Sequence, residues 1–169
     1  DAKYIGLKPH NWVTAWVAIT DSNEHNGCMR MWSGSHKDNL KQHDQNFNDG
    51  NLLTRGQTVK NVPKLETTPL VLTAGQMSLH HPTVVHGSGL NKSDDRRIGF
   101  VIQSYIGANV KQVLGKNSVQ LARGKDDFNF HEKIGRSKFL MDKNDLKLKK
   151  KENDNLQEIF YKGSSKKSQ

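Results

Sequence analysis

The sequence predicts a mainly β domain of the sandwich or barrel kind. Three observations carry that expectation. β-branched and aromatic residues gather into short runs, clusters of Gly, Asn, Asp and Pro separate those runs, and no segment of convincing helical period occurs before residue 107. At 169 residues the chain has the size of one domain with a real core. Hydrophobic residues make up only 33% and mean hydropathy is −0.80, so that core must be compact and the loops polar.

Residues 12–20 (WVTAWVAIT) are rich in β-formers and apolar on both faces, which marks a buried strand. Residues 21–27 (DSNEHNG) are a turn cluster, and residues 28–32 a second short strand. Residues 33–51 read as a long polar loop. Residues 69–73 (PLVLT) form a strand closed by an Ala74-Gly75 turn, where glycine permits a tight bend. Two short strands follow at 76–81 and 83–86, broken by Pro82, and residues 97–106 (RIGFVIQSYI) are the clearest strand of all. Residues 107–136 read as irregular wrapping. Residues 142–162 carry Leu146, Leu148, Leu156, Ile159 and Phe160 among charges, a marginal helix, and the polar end beyond it reads as disordered. The expected division is therefore a folded body over 1–136 and a basic, partly helical or disordered tail over 137–169.

Bulk properties exclude some classes. No apolar run in the sequence approaches the roughly 18–20 residues of a membrane-spanning helix, and its first residues do not read as a basic-then-apolar signal. The chain opens at Asp1 without methionine, so processing or truncation at the front is expected. A lone Cys28 forms no internal disulfide and fits a reducing compartment, hence a cytoplasmic location. The net charge of +9 is compatible with nucleic acid or anionic surfaces. However, residues 133–169 hold eleven Lys/Arg against five Asp/Glu, without interleaved aromatics or a nucleic-acid module, so the charge reads as a solvated tail. Oligomeric state leaves no signal in the sequence.

The chemistry concentrates in residues 86–97 (HGSGLNKSDDRR). Residues two apart on a strand share a face, so His86 and Ser88 point into one space. The polar turn after them returns the chain to Arg97, expected on an adjacent strand and aimed into the same cavity. A guanidinium fork with a nearby hydroxyl makes a cradle for a carboxylate, and a neutral imidazole beside it is a natural metal ligand. The residues alone leave other readings open. His86 would equally serve as a hydrogen-bonded core residue, and Arg97 as a solvated side chain or the partner of Asp94 or Asp95.

This stretch, preceded by AGQMSLHHPTVV, resembles the C-terminal metal motif of the phytanoyl-CoA dioxygenase family. Residues 13–37 (VTAWVAITDSNEHNGCMRMWSGSHK) resemble that family's central signature, and residues 118–132 (SVQLARGKDDFNFHE) resemble the C-terminal wrap of bacterial members. The resemblance covers residues 1–132. It implies a double-stranded β-helix, the jelly-roll of cupin-like enzymes, here missing its N-terminal elements. It also implies Fe(II) held by a His-X-Asp pair and a distant His. Asp1 takes the position of that Asp, the first His would lie two residues before it, and His86 matches the distant His. Arg97 matches the arginine that pairs with the far carboxylate of 2-oxoglutarate, while Ser88 and Trp16 match co-substrate contacts. Ser33 departs from the family's pattern, standing where a Pro is expected before Gly34-Ser35-His36-Lys37.

The resemblance thus implies a dioxygenase that hydroxylates a small organic substrate with O2 and 2-oxoglutarate, releasing succinate and CO2. The fragment alone is expected to be inactive if the first His is missing. Two alternatives stand beside it: a jelly-roll binding protein without turnover, and a basic nucleic-acid or surface-binding module. Among the remaining residues, one of His80 and His81 must point inward, where packing or hydrogen bonding to the site is expected. His36 and Lys37 are expected to brace their loop. His10, His25, His43 and His131 read as loop residues, Trp12 as core, and Tyr4, on the resemblance, as lining the substrate mouth.

Overall fold

A computed structural model of the chain describes residues 1–38, 40–47, 51, 53 and 56–163. In chain order these form α1 (Ala2–Ile5), β1 (Leu7–Lys8), β2 (Trp12–Ala18), β3 (Met29–Trp32), β4 (His43–Gln45), β5 (Gln57–Val59), β6 (Thr67–Pro69), β7 (Met77–His80), β8 (His86–Ser88), β9 (Gly99–Ile106), β10 (Lys111–Gln112), β11 (Ser118–Val119), β12 (Glu132–Lys133) and α2 (Lys143–Tyr161). The chain divides into two compact units, one comprising Asp1–Asn11, Asn46–Gly56 and Gly107–Gln169, the other Trp12–Gln45 and Gln57–Ile106.

The second unit holds the jelly-roll. One antiparallel sheet has the order β7-β2-β9 and the other β6-β3-β8, with β4 and β5 pairing separately. Successive strands cross from sheet to sheet: β7 lies in the first, β8 in the second, β9 in the first again. The registers Thr14↔His80, Trp16↔Ser78 and Ala18↔Gly99 put these residues on one face of the first sheet. The largely apolar run of β2, interrupted by buried Thr14, explains its central place, since a strand flanked on both edges needs mostly apolar residues. Trp12, Ala15, Trp16, Ala18, Cys28 and Met31 are buried. Emptying either Trp site would cost about 3–5 kcal/mol.

The first unit is built from short pieces. β1 pairs antiparallel with β10 and β11 parallel with β12, around Ala2, Ile5, Leu7, Val110 and Ile159. Asp142 caps α2, its side chain accepting from the amides of Asn144 and Asp145. The helix is tied down along its length. Glu152 accepts from the Ser118 amide at 3.0 Å, Lys162 Nζ donates to the Leu114 carbonyl at 2.6 Å, and Ile159 packs on Gly115.

Several expected boundaries move. The strand expected at 69–73 lies at β6 with only an isolated bridge at Leu72, and that expected at 83–86 becomes a turn leading into β8, because Pro82 breaks the pairing. The loop at 33–51 contains a 3-10 turn at Ser35–Lys37 and β4, so His43 is a strand residue. A four-residue helix, α1, precedes β1, where none was expected. The wrap at 107–136 contains three two-residue strands. The expected disordered end beyond residue 163 lies outside the described residues.

Candidate active site

His86 opens β8, opposite Met31 of β3, and Ser88 shares its face. The His86 Nδ1 lies 3.0 Å from the Val84 carbonyl. A carbonyl only accepts, so Nδ1 carries the proton and Nε2 the lone pair, the tautomer that a metal-binding imidazole requires. Burial pulls the His86 pKa down, so the ring is neutral at neutral pH. The imidazole therefore has the form that ligates a divalent ion. The Val84 carbonyl was not legible in advance, because no side-chain pattern marks a backbone acceptor two residues upstream.

Arg97 stands two residues before β9, and β9 pairs with β2, whereas β8 pairs with β3. The expectation that Arg97 lies on a strand adjacent to His86 is therefore corrected: it approaches from the opposite sheet. The two sheets nonetheless bring the groups together. Arg97 Nη2 donates to Ser88 Oγ at 3.2 Å, and its Cζ lies 5.7 Å from the centroid of the Trp16 ring. Trp16, Ser88 and Arg97 thus form one cluster, with its guanidinium half-buried and bound to no carboxylate among the described residues. This is the arrangement of an anion cradle.

The two sequence motifs also meet. Gly27, at φ +75, ends the DSNEHNG turn, and a Cβ there would fall 2.7 Å from the Gly89 carbonyl. The Lys92 amide donates to the His25 carbonyl at 3.0 Å. Asn26 closes the turn from within, donating to the Asp21 carbonyl and accepting from the Asn23 amide, both at 2.8 Å. The turn clasps the chain just after Ser88, which is why an Asn-Gly pair belongs there.

His80 is the inward member of the His80–His81 pair, its ring centroid 5.2 Å from that of His86. Burial, then the neighbouring His86, pull its pKa down to about 4. Its buried Nδ1 has no hydrogen-bond partner among the described residues. His81 instead faces Thr83 at 2.7 Å and the ring of His36. His131 is tightly held, between Asn117 Oδ1 and the Val110 carbonyl, both at 2.8 Å. Asp1 belongs to the first unit, where its carbonyl accepts from the Tyr4 amide at the start of α1.

A family model described as phytanoyl-CoA dioxygenase (PhyH) matches residues 1–99. The peroxisomal phytanoyl-CoA dioxygenase of Mus musculus is 31% identical over 99 residues, 57% of this chain and 29% of that protein. A protein of Stutzerimonas stutzeri named "Probable alpha-ketoglutarate-dependent hypophosphite dioxygenase" is 30% identical over 113 residues, 63% of this chain and 39% of that protein. Among solved structures, the apo form of ThoJ, a non-heme monooxygenase, has a TM-score of 0.82 at 29% identity, covering 96% of this chain and 58% of that one. Its nickel complex has a TM-score of 0.74 at 28% identity, with coverage of 96% and 57%. The chain thus spans well under half the length of these curated relatives.

Proposed function

The chain belongs to the phytanoyl-CoA dioxygenase family, and from that membership we propose that it acts as an Fe(II)- and 2-oxoglutarate-dependent dioxygenase hydroxylating a small organic substrate. The observation that carries the reading is the Arg97–Ser88–Trp16 cluster, in which Ser88 shares a strand face with His86. In this reading His86 and Asp1 are protein ligands of the metal. Bound iron would supply O2 activation coupled to decarboxylation of the 2-oxo acid, giving succinate and CO2. The chain's own residues do the rest. Val84 sets the His86 tautomer, Arg97 would pair with the far carboxylate, and Ser88 and the Trp16 ring support the guanidinium. The buried, unpaired Cys28 supports a reducing, cytoplasmic setting. No helix among the described residues is long and apolar enough to cross a membrane.

The test is succinate formation from 2-oxoglutarate by the complete protein with Fe(II). His86→Ala should abolish it. Arg97→Ala should raise the 2-oxoglutarate concentration needed by about 10- to 100-fold, the loss expected for one charged hydrogen-bonding group. Wild-type kinetics in both variants would overturn the assignment. Tight binding of 2-oxoglutarate without succinate would favour the jelly-roll as a binding protein.

A further inference from the structure

We propose that Gly99 is a positioning residue for the co-substrate cradle: having no side chain, it lets the Trp16 indole lie across the start of β9 and support the Arg97 guanidinium. The proposal rests on the functional reading above and deepens it.

Gly99 pairs with Ala18, so it shares the inward face of its sheet with Trp16. The indole leans over it. A Cβ built on Gly99 would lie 2.6 Å from Trp16 Nε1 and closer still to Cε2 and Cζ2. No side chain fits there without moving the ring. The ring has little room to move, because Trp16 is only 8% exposed. Glycine inside a strand is otherwise unfavourable, and close approach of a neighbour is the physical reason for keeping one. Here the neighbour is also the surface beneath Arg97, two residues away on the same chain. The guanidinium has two supports from different strands, the Ser88 hydroxyl and the indole face. An arginine has much rotamer freedom to lose, so removing one support leaves the fork poorly aimed at a carboxylate. No periodicity or motif singled out Gly99. The available signal was a glycine two residues past the key arginine within an otherwise strong strand.

The experiment is calorimetric titration of the Mn(II)-loaded protein with 2-oxoglutarate for wild type, Gly99→Ala, Trp16→Leu and the double variant. Gly99→Ala and Trp16→Leu should each weaken binding about 3- to 10-fold, the range of an arginine–aromatic contact. The double variant should bind no more weakly than the weaker single variant, because the added methyl then has no ring to displace. Mn(II) affinity should stay within about twofold throughout. Gly99→Ala at wild-type affinity, single effects that multiply in the double variant, or Mn(II) affinity falling in parallel would each overturn the proposal. If Gly99→Ala does not fold, Trp16→Leu and the double variant still decide it: equal affinities support it, and a further tenfold loss in the double overturns it. A wild-type protein that binds no 2-oxoglutarate would overturn the functional reading as well.

Discussion

Gly27 and Cys28 sit side by side in the turn that clasps the site, and each meets a different constraint. Gly27 combines a positive φ with backbone pressed against the space a Cβ would fill. Gly27→Ala should therefore destabilise the protein by at least about 1–2 kcal/mol, read as a lower urea midpoint at unchanged slope. Its neighbour Cys28 is 2% exposed, and burial, aided by the Glu24 carboxylate, pushes the thiol above its ordinary value of 9.0. A raised folded-state pKa means the thiol's stabilising contribution is complete below that ordinary value and lost as pH rises through the folded one. Two outcomes follow. At neutral pH a thiol-specific reagent should label Cys28 far faster in urea than in buffer, and stability should fall above about pH 9 less steeply in Cys28→Ala. The Asn-Gly turn was readable from residue type. That its glycine opposes Gly89 was not, because the partner lies 62 positions away.

Among the elements, β9 carries an irregularity that shapes the sheet. Val13 pairs with Tyr105 and Ala15 with Ile102, so Gln103 and Ser104 both oppose Thr14, and Ser104 takes φ 72. This bulge lets the strand keep its inward face on both sides of the break. A β-branched residue tolerates that conformation poorly. Ser104→Val should cost about 2 kcal/mol, while Ser104→Gly should be neutral within about 1 kcal/mol, both measured by denaturant unfolding. The helix expected at 142–162 is confirmed as α2, and its start is chemical as well as periodic. Asp142→Ala should remove the cap at about 1 kcal/mol and lower helical circular dichroism near that end. The outward face of β7 presents exposed Met77 and Leu79, alternating with half-buried Ser78 and His80, a pattern visible in the sequence only once the inward face is known.

At the scale of the whole molecule, the net charge of +9 is concentrated toward the C-terminal end, yet the helix there docks through Glu152, Ile159 and Lys162 rather than standing apart. Lys147, Lys149 and Lys150 face solvent. Replacing all three with Gln should leave succinate formation unchanged and weaken any salt-sensitive DNA retention, a pair of assays that separates the dioxygenase from a basic binding module. What the sequence by itself determined was local: the apolar strand at 12–20, the Asn-Gly turn, and the types and spacing of His86, Ser88 and Arg97. Each is written in neighbouring residues, through pleat alternation or turn chemistry. The tertiary structure alone decided that Arg97 meets Ser88 from the opposite sheet and that Gly99 makes room for the Trp16 ring behind the guanidinium. Those outcomes depend on strands crossing between two sheets, a long-range pairing that leaves no mark on adjacent side chains.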